Sequence, residues 1–363
     1  MIANSINRQR LRSTHLRAGD LVLWLIASFH VVFAASLLFV LTSLSPAQGA
    51  EDVACPGTNL LNSLKDSDPE AYAGVIREGA KSPNGKGILW KIEKDGIEPS
   101  WLLGTMHVTD PRVLTMSDAA RKALDVASTI VVESDEILDE KKAAAALLLH
   151  PELTMFTDGT TIADHLSAEE ASRLEAGLKE RGISMTAVAR MKPWIISSFV
   201  ALPACELAHK AKGASFLDKH IAEDALKSGK QIVGLETFAE QLAAMAELPV
   251  EFHLQALIET LALGDKMNDI IETMTQLYLA GDIGLTMPML KVVAPSEPGE
   301  EESGYAAFEK RIVLDRNKIM AKGSAPALAK GNAFIAVGAL HLPGEEGLVE
   351  LLRKQGYTVS AAN

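Results

Sequence analysis

Apolar positions along the chain follow two rhythms. Short, continuously apolar runs bounded by turn residues mark strands covered on both faces: TIVVE at 129–133, KQIVGLE at 230–236 and NAFIAVGALH at 332–341. Upstream, GILWKIEKDG and PSWLLGTMH read as two strands joined by a glycine-containing turn, and YTVS near the C-terminus as a short last strand. The other rhythm is helical. LLNSLKDSDPEAYAGVIREGAK (60–81) reads as one short helical stretch, and 117–127 as a helix with Ser117 as its N-cap. From about 138 to 292 helix follows helix, among them SAEEASRLEAGLKERG with Ser167 and Glu170 spaced as a capping box. Pro193 breaks the run, Pro203 is expected to kink the next helix, and Gly229, Pro249, Gly264 and Gly281 stop later ones. Residues 293–304 form an acidic Pro/Gly/Ser loop; YAAFEKRIVLDRNKIMAKG (305–323) and PGEEGLVELLRKQG (343–356) close the list of helices. The reading is an α/β fold: a mixed central sheet with strands from both ends of the chain and a large helical insertion at about 138–292.

The first fifty residues belong to neither rhythm. Arg8, Arg10, Arg12 and Arg17 precede Leu21–Leu44, 24 residues in which His30 is the only ionisable group, and SPAQGAED follows. Basic, apolar, small is the order of a secretory signal, with cleavage after Gly49 or Ala50. The apolar run is also long enough to span a bilayer as an uncleaved anchor in the inner membrane. Either way the arginines stay in the cytoplasm and 51–363, a single domain, lies outside it, periplasmic or membrane-anchored. Composition is globular, with 48% apolar and 23% charged residues. Residues 1–50 carry +3 and the remaining 313 carry −15, against −12 for the whole. An acidic body without a basic stripe excludes a nucleic-acid partner. Export also gives the two cysteines, Cys55 and Cys205, a reading: an even count in an oxidising compartment suggests one disulfide. Closing so long a loop would stabilise by roughly 4–5 kcal/mol in the chain-entropy model. Two buried free thiols are the alternative.

Candidate chemistry gathers where strands end. WLLG runs into Thr105, Met106 and His107, TIVV ends at Glu133, QIVGL ends at Glu236, and AFIAVG runs into His341. In α/β sheets ligands bind at the carboxyl ends of strands, so parallel strands would bring these four side chains to one mouth. Both histidines sit in G-x-x-H, at Gly104–His107 and Gly338–His341. A glycine there permits a sharp turn or close backbone approach. Two imidazoles and a carboxylate are a common ligand set for Zn²⁺, Mn²⁺ or Co²⁺. Such an ion acidifies a bound water and polarises a carbonyl, as amide hydrolysis requires. Each residue also has a plain structural reading. His107 and His341 can be hydrogen-bonded core residues, and Glu133 a strand-end surface residue. Glu236 reads best as an acid favouring the N-terminus of the next helix. Asp218 and the pair Arg316–Asn317 can lie on solvated helix faces. There is no GxGxxG after a strand, no Walker loop, no HExxH, no CxxC and no GxSxG.

GILWKIEKDGIEPSWLLGTMHVTDPRV, TIVVE, FLDKHI, QIVGLET, LDRNKIM and AFIAVGALHLPGEEGLVELLRKQGYTV, in that order, resemble the TraB/PrgY/GumN family over nearly all of 55–360. CPGTNLL with WKIE resembles exported bacterial GumN-like members. The family is similar to the Tiki metalloproteases of animals, and more distantly to haem-binding ChaN-like and erythromycin-esterase-like proteins. The resemblance implies a metal-dependent hydrolase, most readily a peptidase acting on a peptide or protein. His107, His341 and Glu133 would hold a divalent metal, with Glu133 as ligand or general base. Arg316 and Asn317 would orient or stabilise an oxyanion, and Gly104, Gly338, Asp218 and Glu236 fall in supporting motifs. Rival readings are a non-catalytic peptide- or haem-binding protein and an accessory factor in polysaccharide export.

Overall fold

The computed structural model describes residues 54–293 and 307–362. The export segment and most of the acidic 293–304 stretch therefore lie outside the described residues. Six strands form one sheet: β1 (Leu89–Lys94), β2 (Ile97–Thr105), β3 (Thr129–Val132), β4 (Gln231–Gly234), β5 (Ala333–Gly338) and β6 (Thr358–Ala361). Their order across the sheet is β4-β3-β5-β2-β1-β6. β4, β3, β5 and β2 run parallel, while β1 is antiparallel to both β2 and β6. The sheet is thus mixed, and its strands come from both ends of the chain. The β1–β2 hairpin turns at Asp95–Gly96, where Gly96 has φ +76°, a left-handed value glycine adopts at no cost.

Alternation sorts the apolar residues of each strand onto two faces. Leu103, Ile130, Val132, Phe334 and Ala336 face one core; Leu102, Val131, Ala333, Ile335 and Val337 face another. All six residues of β5 are buried, as expected of a central parallel strand. Among the described residues the α-helices of seven residues or more are α1 (Leu60–Ser67), α2 (Pro69–Gly79), α3 (Asp118–Val126), α4 (Glu140–Leu149), α5 (Ala168–Glu180), α6 (Pro193–Val200), α7 (Ala204–Ala211), α8 (Leu217–Lys227), α9 (Phe238–Ala246), α10 (Val250–Ala262), α11 (Lys266–Ala280), α12 (Thr286–Val293), α13 (Asp315–Lys330) and α14 (Leu348–Lys354). α13 and α14 cover the second face through Met320, Leu328, Leu348 and Leu352. Most remaining helices pack on the first. α5, α6 and α10 also enclose a satellite core of their own, with Leu174, Leu178, Ile196, Val200, Leu254 and Leu257.

Caps set several boundaries. Ser117 accepts the Ala120 N–H and starts α3, and Ser167 with Glu170 forms a reciprocal capping box on α5. Gly281, at φ +70°, ends α11. Prolines divide the chain more sharply than expected. The 60–81 stretch is two helices, because Asp68 caps α2 and Pro69 occupies its first turn. Pro203 does not kink one helix; it stands between α6 and α7. The 305–323 helix instead continues to Lys330. It opens with a π turn at Glu309–Leu314 and carries Pro326 inside α13. Cys55 and Cys205 form a disulfide. It ties the start of the described chain to α7 and fits an oxidising compartment. Among the described residues no helix is long and apolar enough to cross a membrane.

Candidate functional site

The parallel order β4-β3-β5-β2 brings four carboxyl ends to one side of the sheet. Glu133 leaves the end of β3 and turns under β5, where its Oε1 accepts the Gly338 N–H at 2.7 Å. Its Oε2 accepts from Arg316 Nη2 at 2.8 Å and from Gln241 Nε2 of α9 at 3.3 Å. The carboxylate is therefore fixed by backbone, guanidinium and amide together. Glu236, at the end of β4, does not serve the next helix. Thr237 and Glu240 cap α9, and Glu236 turns inward to Arg316, accepting from Nε at 3.0 and 3.2 Å and from Nη2 at 2.8 Å. Arg316 is 4% exposed. Burial opposes its charge, and Glu236 and Glu133 outweigh that, so its pKa lies above the ordinary arginine value.

Asn317, the next residue on α13, is fully buried. Its Nδ2 donates to the Glu346 carbonyl at 2.9 Å, which orients the amide so that Oδ1 faces His341 Nδ1 at 2.6 Å. An amide oxygen only accepts, so Nδ1 carries the proton and Nε2 keeps its lone pair. That Nε2 lies 3.9 Å from Glu133 Oε1. A histidine held through one nitrogen with the other presented to a carboxylate is the arrangement of a metal ligand. Gly104 makes the His341 turn possible: a Cβ there would meet Ala339 Cα at 2.9 Å and Leu342 Cδ1 at 2.5 Å. Close approach, not a special dihedral, is what its glycine supplies. Gly338 itself has φ −52°, open to any residue.

His107 sits two residues beyond β2 with its ring edge-on to Phe216, centroids 5.0 Å apart. Its Nε2 lies 3.4 Å from Asp218 Oδ2, and Asp218 Oδ1 accepts from Thr105 Oγ1 at 2.8 Å. His107, Glu133, Ser134, Phe216, Asp218 and Gln241 line one cavity of about 20 Å³. That is room for one water or ion. Two of its buried polar atoms, Asp218 Oδ2 and Ser134 Oγ, have no hydrogen-bond partner. The donor chemistry of imidazole and carboxylates, with orphaned oxygens around an ion-sized space, fits a divalent cation. The ligand-type residues around this cavity, His107, Glu133 and Asp218, are no tighter a set than the expected trio. Among the described residues the ligand atoms of His107, Glu133 and His341 do not all lie within 4.8 Å of one another; those of Cys55, Glu206 and His209 do. Asp218 and the Arg316–Asn317 pair, for which solvated faces were open readings, are buried in the site. Ser134, Gln241 and Phe216 escaped the sequence reading. Nothing local marks them, because helices remote in sequence bring two of the three to the mouth.

The model of the TraB/PrgY/gumN family matches residues 88–361. The chain belongs to the TraB/PrgY/gumN family. Among curated relatives it is 24% identical to metalloprotease TIKI1 of Danio rerio over 315 residues, covering 75% of this chain and 62% of that protein. It is 22% identical to a metalloprotease TIKI homolog of Nematostella vectensis over 327 residues, covering 76% of this chain and 67% of that protein. It is 21% identical to the uncharacterized protein YbaP of Shigella flexneri over 266 residues, covering 72% of this chain and 90% of that protein. The chain thus spans somewhat less than two thirds of the zebrafish relative. No solved structure matches it. The matched range includes the residues at the carboxyl-end mouth of this chain: both GxxH turns, the Glu133 strand end, the Asp218 helix, Glu236, and Arg316–Asn317 on α13.

Proposed function

We propose that this member of the family is an exported metal-dependent hydrolase, most readily a peptidase, with its centre at the carboxyl ends of β2, β3 and β5. The observation that carries the reading is the ion-sized cavity, with two orphaned polar atoms, between His107, Glu133 and Asp218. The names of the animal relatives add support, since those proteins are called metalloproteases. So small a cavity suits an ion and not a porphyrin. His107, Asp218 and Glu133 would hold the ion, with His341 Nε2 3.9 Å from Glu133 Oε1. When bound, a divalent ion lowers the pKa of its water and polarises a carbonyl. The Glu133 carboxylate already accepts from Arg316, Gln241 and the Gly338 N–H, a fixed geometry that suits a ligand better than a general base. Asn317 holds the His341 tautomer. Arg316 and Asn317 thus position the site and do not touch an oxyanion directly. Export through the N-terminal segment, which is then either cleaved off or kept as an inner-membrane anchor, completes the reading, and export accords with the disulfide.

Metal content and affinity of the purified oxidised chain test this. Wild type should hold about one Zn²⁺, Mn²⁺ or Co²⁺, and His107→Ala, His341→Ala and Asp218→Asn should weaken binding at least tenfold. Hydrolysis of a peptide library should vanish with a chelator and return with metal. A chain that binds none of the three ions, or variants that bind them equally well, would overturn the reading.

A further inference from the structure

Away from that mouth, a second set of ligand-type side chains converges around the disulfide. α7 presents Cys205, Glu206 and His209 in little more than one turn. Cys55 Sγ, a Glu206 carboxylate oxygen and a His209 ring nitrogen all lie within 4.8 Å of one another. Glu206 is 1% exposed. Thr109 holds it there, donating its N–H at 3.0 and 3.1 Å and its hydroxyl at 2.9 Å. The same Thr109 oxygen lies 3.1 Å from His209 Nδ1. The hydroxyl proton is spent on Glu206, so Nδ1 must be the donor, and the neutral ring keeps a lone pair on its other nitrogen. A buried carboxylate, a neutral imidazole and a sulfur are the donors zinc prefers. Ligands at metal bond lengths of about 2.0–2.3 Å lie under about 4 Å apart, so closing the set needs shifts of about 1 Å. Only the disulfide keeps the sulfur from serving.

We infer that the dithiol form of this chain binds a divalent transition metal between Cys55, Glu206 and His209, and that re-forming the disulfide by exchange with an oxidised dithiol, which takes up the two electrons and leaves as the dithiol, expels it. A dithiol reductant exchanges with Cys55–Cys205 and leaves as its own disulfide, having given the two sulfurs two electrons and two protons. The ion then displaces the Cys55 proton to solvent and binds the thiolate. The site is coupled to the mouth. Glu206 and His209 now hold Thr109, two residues past His107, and a metal would draw both from it.

Co²⁺ and Zn²⁺ titrations of the full chain, oxidised and reduced, decide this. Thiolate-to-cobalt charge-transfer absorption reports sulfur ligation alone, so it is blind to the centre at His107. Reduction should produce that band at one equivalent, and the oxidised chain should lack it. Cys205→Ser should show it without reductant, and Cys55→Ser should lose it. Glu206→Gln and His209→Ala should each raise the Kd at least tenfold. The inference fails if reduced chain and Cys205→Ser show no band, or if the Glu206 and His209 variants bind unchanged. It fails equally if circular dichroism shows that reduction unfolds the chain and metal does not restore it.

Discussion

At the scale of single residues, the site is a set of ligand-type side chains each held by a second group. Arg316 is the clearest case, a buried cation shared between Glu133 and Glu236. Removing it would leave two buried carboxylates without their counter-charge, which costs about 3–5 kcal/mol for a broken buried pair. Arg316→Met should therefore lower the urea midpoint strongly even without metal. A small shift would mean that the carboxylates reach solvent or protonate easily. Asn317 acts on the site through His341. Asn317→Ala should weaken metal binding about 10–100-fold, the usual cost of losing such an outer partner, and isothermal titration of the folded variant would read it. Gly104 and His107 were legible in the sequence because they follow an apolar run. Arg316 was legible only as part of a motif, since a mid-helix arginine looks the same whether it faces water or a carboxylate.

At the scale of elements, alternation and capping were readable and partnership was not. β3 and β5 announce themselves as unbroken apolar runs, and Ser117, Ser167 and Gly281 mark their helix ends. That β3 pairs with β4 and β5, and β5 in turn with β2, is set by packing among residues as much as 233 positions apart. Prolines misled for the same reason. Pro203 reads as a kink locally, but the disulfide at Cys205 and the Glu206–Thr109 bonds redirect α7 as a separate helix. The contact between β2 and the His341 turn yields a prediction at this scale. Gly104→Ala places a methyl against the backbone of Ala339 and the side chain of Leu342. Overpacking of this kind costs about 1–3 kcal/mol. Because the displaced turn carries His341, metal affinity should fall along with the thermal midpoint. Loss of stability with unchanged affinity would show that the turn relaxes without moving the histidine.

At the scale of the whole molecule, the sheet lays out the mouth, while helices of the insertion close it and carry a pH dependence of their own. His253, on α10 between the main core and the satellite core, is 1% exposed. Its Nε2 donates to the Met245 carbonyl at 2.9 Å. Burial pushes its pKa down from 6.5 to about 4; the carbonyl pulls it up, and Lys192 pushes it further down. As pH falls from 6.5 towards 4, the unfolded chain takes up a proton that the folded chain refuses. Stability is therefore complete above about 6.5, declines across that window and stops declining below about 4. A displacement of this size corresponds to about 3 kcal/mol. His253→Gln retains an N–H for the carbonyl and removes the proton site. Urea unfolding of both chains from pH 7 to 4 should give curves that diverge on acidification, wild type losing about 3 kcal/mol more than the variant. Parallel curves would mean that the acid sensitivity of the fold comes from its carboxylates, and that the buried imidazole opens to water before it is charged.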